Sequence, residues 1–592
     1  MSSSSAMPAE ATPRRAGEGD EASRRTRSPS AGSSTPNDED EALQNATGAE
    51  AVGIPSLRGL TSGVLKILAQ PAPVVREATR LSREQLSIAR GRSALAPSPK
   101  DKRFSDPAWS LNPGYRRLCQ TYLNVGGSLA RLVDDYEAGG ADWHDTERAR
   151  FAVQAMTSLL APTNTLLGNP AAVKRAFDTG GRSVARGLGH LLHDLRHNGG
   201  MPSQTDRTVF TVGKDLALTR GAVVHRDEVA EIIEYAPSTP TVRQRPLLIV
   251  PPPIGRFYFL DLRPGRSFVE YAVSRGLHVF LLSWRNPTRE QAGWGLETYA
   301  RRILDALHVV KEISDSPDVN TLGFCAGGIL QTTVLSHLAQ TRDDSVHSAG
   351  YAVTLLDFDS RAPIGAFSSP RLLELARRES RRSGVITARS MRTVFSWMRP
   401  DDLVFNYWVN QWLMGEDPPV FDILAWNADG TNLPARLHRQ FLGIFRDNTL
   451  VQPGALEVLG TPVDLSSIRV PTFVTGAVND HLTPWNGCYR TTSALSGPST
   501  FVLSNAGHIA SLVNPPGNPK ATYFIGPEPG PDPEVWRQAA EQRTGSWWEA
   551  WAEWLLPRSG DERPAGAALG DAAYPPLEPA PGSYVMDRTP TR

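Results

Sequence analysis

The stretch Thr321-Leu-Gly-Phe-Cys-Ala-Gly-Gly328 restricts the fold of this chain more than any other. It sets Gly-x-Cys-x-Gly directly after a strand pattern (Asp318–Phe324) and directly before a helical one (Ile329–Leu338), the context in which a nucleophile elbow is built. Glycines at 323 and 327 let strand and helix approach closely, and the residue between them is forced into a strained turn that lifts its side chain clear. Cys325 is then expected at the carboxyl edge of a sheet. The Ala326 N–H is expected to be one oxyanion donor, and the helix that starts there favours a thiolate. Taken alone, the pattern also fits a small buried cysteine in a tight turn.

The chain downstream carries the partners a cysteine nucleophile needs. In an α/β-hydrolase-type core the order is nucleophile, acid, base, with the acid after a late strand and the histidine after the last one. Pro471-Thr-Phe-Val-Thr-Gly476 is a strand pattern that runs into Asp480, and Phe501-Val-Leu503 is another that runs into His508. His508 is the expected base, and Asp480 the acid that fixes its tautomer. Asp357 and Asp359 also follow a strand pattern and are rival acids. His481, adjacent to Asp480, shapes the pocket in this reading. His190, His193 and His197 fall at near-helical spacing, but no carboxylate or cysteine cluster accompanies them, so a surface cluster is expected and no metal.

Short β-rich runs alternate with helical patterns from about residue 206, the signature of a largely parallel sheet. The expected strands are Leu247–Val250, Val279–Ser283, Thr321–Phe324, Ala352–Leu356, Thr472–Gly476 and Thr500–Ser504. The domain reading is a disordered tail over 1–51, a mostly helical N-terminal domain over 52–205, and an α/β-hydrolase-type catalytic domain over 206–558. An inserted cap spans 361–467, and an extended tail follows over 559–592. Trp547, Trp548, Trp551 and Trp554 recur at helical spacing, which favours packing on the core over contact with a polymer.

Bulk properties exclude several classes. Lys+Arg and Asp+Glu both number 62, so there is no basic excess to announce a nucleic-acid partner. Three cysteines do not make a disulfide framework and fit a reducing, cytoplasmic setting. No apolar run reaches the roughly 20 residues of a membrane span, and the arginine pairs near the N-terminus lack the apolar stretch of an export signal. A thiol nucleophile forms a thioester with an acyl group; exchange of that group with a CoA thioester is close to isoenergetic, which suits acyl transfer from CoA to a hydroxyl.

An ordered series of segments then resembles the polyhydroxyalkanoate synthase family. They are Arg103-Phe-Ser-Asp-Pro-Ala-Trp109, Phe257-Tyr-Phe-Leu-Asp-Leu262, Phe280-Leu-Leu-Ser-Trp-Arg-Asn-Pro287, Gly323-Phe-Cys-Ala-Gly-Gly328, Phe405-Asn-Tyr-Trp408, Asn479-Asp-His-Leu-Thr-Pro-Trp485 and Gly545-Ser-Trp-Trp548. The resemblance covers about residues 102–560 and looks like the single-subunit type, with Val513–Lys520 and Ala580–Tyr584 similar to its medium-chain class and Phe324 to the short-chain class. It implies polymerisation of 3-hydroxyacyl-CoA into polyester, with Cys325 as nucleophile, Asp480 as acid and His508 as base. It also implies a homodimer, no cofactor or metal, and residence on cytoplasmic polymer granules among granule-associated proteins. The second oxyanion donor is expected near Ile254, where Pro253 and Gly255 depart from the family's pattern. The alternative activity is a CoA-thioester or polyester hydrolase with the same three residues; a catalytically silent granule-coat protein is the non-enzymatic alternative.

Overall fold

The apolar runs become the middle of an eleven-stranded sheet among the described residues, which are 66–67, 69–359 and 370–587 of the computed structural model. The tail expected over 1–51 and the first residues of the cap, 361–369, lie outside them. In chain order the strands are β1 (Gly221–Arg226), β2 (Ala230–Tyr235), β3 (Leu247–Val250), β4 (Val279–Trp284), β5 (Val319–Phe324) and β6 (Val346–Ala352). They continue with β7 (Thr472–Ala477), β8 (Ser499–Ser504), β9 (Thr522–Ile525), β10 (Glu541–Thr544) and β11 (Glu578–Pro579). The spatial order is β10-β9-β8-β7-β6-β5-β3-β4-β2-β1-β11. The six central strands, from β8 to β4, are parallel, and both flanks are antiparallel.

Central parallel strands are covered on both faces, which is why they read as continuous apolar runs instead of alternating ones. Every residue of β3, β4, β5 and β7 is buried. The helices α1 (Pro71–Ala89), α2 (Pro113–Ala138), α3 (Trp143–Leu159) and α4 (Arg182–His197) precede the sheet. They are followed by α5 (Leu296–Ser314), α6 (Ala326–Thr341), α7 (Ala388–Trp397), α8 (Ala435–Asp447) and α9 (Trp547–Leu555). One apolar layer joins β3 and β5 to α5, α6 and α8. The other gathers Phe268, Phe324, Trp547, Trp548 and Trp551 on the opposite face. Trp547, Trp548 and Trp551 are each 1 % exposed, so these rings fill the core, where each large apolar side chain contributes roughly 1.5–3 kcal/mol.

The run Ala352–Leu356 is not a strand; β6 ends at Ala352. Val353 turns to φ +44°, and the Thr354 hydroxyl donates to the Cys325 carbonyl at 3.1 Å. These residues are buried because they line the turn under Cys325, so their apolarity marks position in the core and not a strand. Strands β1 and β2 escaped the sequence reading because β2 carries Glu231 and Glu234, both buried. Glu231 accepts the backbone N–H groups of Ser583 and Tyr584, and Glu234 lies 2.7 Å from His278 Nε2.

Between β6 and β7 the chain makes the insertion that contains α7 and α8. Wide π-type turns at Asp401–Phe405 and Trp408–Leu413 meet the N-terminal helices there. Trp412 Nε1 donates to Asp194 on α4 at 2.9 Å, Trp408 Nε1 donates to Asn164 O at 3.1 Å, and Arg103 pairs with Asp401 at 2.8 Å. The C-terminal stretch is extended but docked: β11 pairs with β1, and Arg226 bonds Glu578.

Close packing of β5, α6 and β3 sets a demanding condition at Gly327, where an added Cβ would stand 2.7 Å from the Pro251 carbonyl carbon. Gly327→Ala is expected to destabilise the protein by about 3 kcal/mol, since backbone and not a flexible side chain must give way. Calorimetry on the purified variant checks this; an unchanged melting temperature contradicts it.

Candidate active site

Strand register brings four loops to one edge of the sheet. Val250 at the end of β3 pairs with Gly323 near the end of β5, so the loop from Pro251 lies beside the turn at Cys325. From β3 the chain crosses to β4 on one side and from the neighbouring β5 to β6 on the other, the switch point at which open α/β sheets form their crevice. On the other side Ala477 pairs with Ser504, so the loops carrying Asp480 and His508 emerge together, and Asn479 N bonds Ala506 O at 3.0 Å.

Cys325 is the pivot between β5 and α6, with φ +50° and ψ −122°. A side-chain-bearing residue at positive φ is strained, and here the surroundings over-determine it. Cys325 N donates to Ala352 O at 2.9 Å, and Gly328 N returns to Cys325 O at 3.0 Å. Added Cβ atoms at Gly323 and Gly328 would stand 2.6 Å from the Gly328 Cα and 2.7 Å from the Thr354 Cγ2 respectively. The glycines therefore permit the turn for steric reasons.

His508 begins the short helix after β8 and is buried. Its Nδ1 lies 2.6 Å from Asp480 Oδ2, and the Cys325 thiol is near enough to act on the charge of the ring. Asp480 is itself fixed: Oδ1 accepts from Leu482 N at 2.8 Å and Thr483 N at 2.9 Å, and Oδ2 accepts from the Thr483 hydroxyl at 2.7 Å. Burial opposes charge on Asp480, but the facing His508 and these donors outweigh it and hold the carboxyl below its ordinary value. Burial likewise opposes charge on His508, and Asp480 and Cys325 reverse that, raising the imidazole well above its usual value. The arrangement stabilises an imidazolium facing a thiol.

The rival acids lie elsewhere. Asp357 bonds Asn448 at 2.8 Å and Arg490 at 3.1 Å, and Asp359 is exposed. The His481 Nδ1 is buried with no hydrogen-bond partner among the described residues, and burial chiefly, with Arg399, pushes the ring down to about 4. The His193 and His197 rings lie tilted to each other with centroids 4.6 Å apart on α4, and His190 faces Asp417.

Ala326 opens α6, where the first N–H groups have no intrahelical acceptor. Ile254 lies in the loop after β3, and this loop is braced by Thr431 and Trp426, to which the sequence assigned no role. Gly255 N donates to the Thr431 hydroxyl at 2.8 Å, and Trp426 Nε1 donates to Arg256 O at 2.7 Å. Gly255 has φ +88° and packs under Trp426, so glycine is required there. The buried Arg256 guanidinium gathers Asp429, 2.9 Å from Nε, together with the carbonyls of Tyr584, Val585 and Asp587. Thr483 sits inside the Asn479–Trp485 segment and Arg256 directly precedes Phe257–Leu262, but the sequence gives neither a role; the fold shows what each holds.

The sheet and its insertion define a protein of the α/β-hydrolase fold, and residues 264–515 match the family described by that name. Residues 100–272 match the family described as Poly-beta-hydroxybutyrate polymerase (PhaC) N-terminus. The chain is 46 % identical to poly(3-hydroxyalkanoate) polymerase 2 of Ectopseudomonas oleovorans, over 84 % of this chain and 88 % of that one. It is 44 % identical to polymerase 1 of the same organism, over 88 % and 92 %. It is 37 % identical to the poly(3-hydroxyalkanoate) polymerase subunit of Cupriavidus necator, over 91 % and 92 %. The chain belongs to the poly(3-hydroxyalkanoate) polymerase family, whose members are acyltransferases.

Two outcomes follow from the geometry. Cys119 and Cys488 are buried, and burial pushes the first thiol up to about 11 and the second well above its ordinary value, whereas Cys325 is half-exposed. Iodoacetamide at neutral pH is expected to alkylate Cys325 alone, as read by peptide mass mapping, with all three sites labelled after denaturation. Replacing Asp480 with Asn removes the partner that most favours imidazolium, so the His508 pKa falls; comparing Cys325→Ala with Cys325→Ala/Asp480→Asn by NMR titration checks the sign.

Proposed function

We propose that this protein polymerises 3-hydroxyacyl-CoA into polyhydroxyalkanoate through an acyl-Cys325 intermediate. The observation that carries the reading is the chain Asp480–His508–Cys325 at the sheet edge, with a thiol where ordinary hydrolases of this architecture carry a hydroxyl. His508 Nε2 takes the thiol proton, and Cys325 Sγ adds to the thioester carbonyl. The Ala326 and Ile254 backbone N–H groups hold the oxyanion, and CoA leaves as the thiol with the proton returned from His508. The hydroxyl of a second acyl unit then gives its proton to His508 and attacks the acyl-Cys325 carbonyl. One ester forms, the thiolate is released, and the polymer is one unit longer.

Water at the same carbonyl would end growth, so exclusion of solvent matters. The insertion over 370–467 supports that role, because it packs against the loop that holds Ile254 through Trp426 and Thr431. The fuller reading adds a homodimer, a cytoplasmic setting, and work at the surface of polymer granules among granule-associated proteins, with no resident cofactor. Among the described residues no helix is long and apolar enough to cross a membrane.

The test uses the purified full chain with 3-hydroxybutyryl-CoA and 3-hydroxyoctanoyl-CoA. CoA release with insoluble polyester is expected, and release with free acid would replace polymerisation by hydrolysis. Cys325→Ala is expected to lower CoA release by about 10⁴-fold or more, the scale on which removal of a nucleophile acts. Retained turnover would overturn the acyl-cysteine route.

A further inference from the structure

A cleft of about 450 Å³ opens between the end of α4 with the loop that follows it and helix α7 of the insertion. Three guanidiniums reach it from two elements: Arg207 from the loop, and Arg389 and Arg392 one turn apart on α7. Among the described residues, none of the three has a carboxylate within ion-pair distance. Arg392 donates to Ala428 O at 3.0 Å, and Arg389 lies against Gly199, whose φ of +61° and missing side chain leave the guanidinium its space. The two carboxylates in the cleft wall are already engaged: Asp194 accepts from Ser203 and Trp412, and Asp206 from Thr208. His193 and His197 line the cleft on the α4 side.

Asp429 is the one opposite charge felt at Arg207, and it is already paired with Arg256; the gathered guanidiniums repel one another, and burial together with Arg207 and Arg389 draws Arg392 down to about 10. An anion in the cleft relieves that repulsion and satisfies donors that the protein leaves open. Arginine suits phosphoryl oxygens, because its planar fork binds them two at a time. The cleft is also one chain segment away from the candidate site. Ala428 accepts from Arg392, while the adjoining Asp429 meets Arg256, and Thr431 holds Gly255 beside Ile254.

We infer that the cleft formed by Arg207, Arg389 and Arg392 binds a phosphate-bearing ligand, of which the nucleotide end of the CoA thioester and a free phosphate are the two sources. The first source rests on the polymerase reading above; the binding site itself does not.

Calorimetric titration of the full-length Cys325→Ser protein with adenosine 3′,5′-bisphosphate and with pyrophosphate reads the site without turnover. Binding is expected, weakened at least tenfold in Arg389→Met/Arg392→Met and by no more than a few-fold in Arg392→Lys, which keeps the charge. In the protein with Cys325 intact, the preference in kcat/KM for the CoA thioester over the matching pantetheine thioester is expected to fall at least tenfold in the double Met variant. If binding weakens and that preference does not move, the cleft serves free phosphate. If the Cys325→Ser protein binds neither probe, or the double variant binds both as tightly, the inference is overturned. Failure of the protein with Cys325 intact to release CoA from any substrate would strike the polymerase reading and leave the titration to decide the site.

Discussion

A residue with a side chain is held at φ +50° between a fully buried strand and a helix buried from Ala326 to Ser336, and the candidate site is arranged around that turn. Left alone, such backbone would relax into an ordinary strand-to-helix connection. It persists because relaxation is blocked on several sides at once: α6 lies against the Val250–Pro251 carbonyls, Gly323 touches Gly328, and Thr354 caps the Cys325 carbonyl. The parallel register extends the constraint sideways. Once β3 pairs with β5, and β7 with β8, the four loops that carry Ile254, Cys325, Asp480 and His508 have no other edge to emerge from.

The electrostatics of the site follow from the same placement. A buried carboxylate is costly unless its lone pairs are used, and Asp480 uses both oxygens on a turn of its own loop before it meets His508. The imidazole therefore faces a partner already fixed in charge and position. Loop, insertion and C-terminal stretch are then joined by one buried cation, because Arg256 contacts Asp429 on one side and the carbonyls of Tyr584, Val585 and Asp587 on the other. A change at any of the three is felt at the loop that carries Ile254.

The central sheet was legible because parallel strands buried on two faces must be apolar throughout: β3, β4, β5, β7 and β8 stand within two residues of where the sequence puts them. Cys325, Asp480 and His508 were legible because each follows such a strand. The flanks were not. Strand β2 hides two glutamates in the core, and apart from Arg226 on β1 their partners, the Ser583 and Tyr584 amides and His278, are far off along the chain. Ala352–Leu356 misled because burial under a turn leaves the same apolar trace as burial in a strand. The roles of Thr483 and Arg256 were not legible, since one hydroxyl or guanidinium acquires a role only from what the fold sets opposite it.

The docking of β11 has a consequence for biosynthesis. Glu578 meets Arg226 across 352 positions of sequence, so β1 emerges long before the strand that covers it has been translated. During that interval β1 presents unpaired amides and carbonyls along a nascent sheet margin, the kind of surface on which unfinished chains aggregate. The margin is sealed only when residues 578–587 arrive, and the same arrival supplies the carbonyls that Arg256 binds. Closure of the outer rim and bracing of the inner loop are thus one event in the life of the polypeptide.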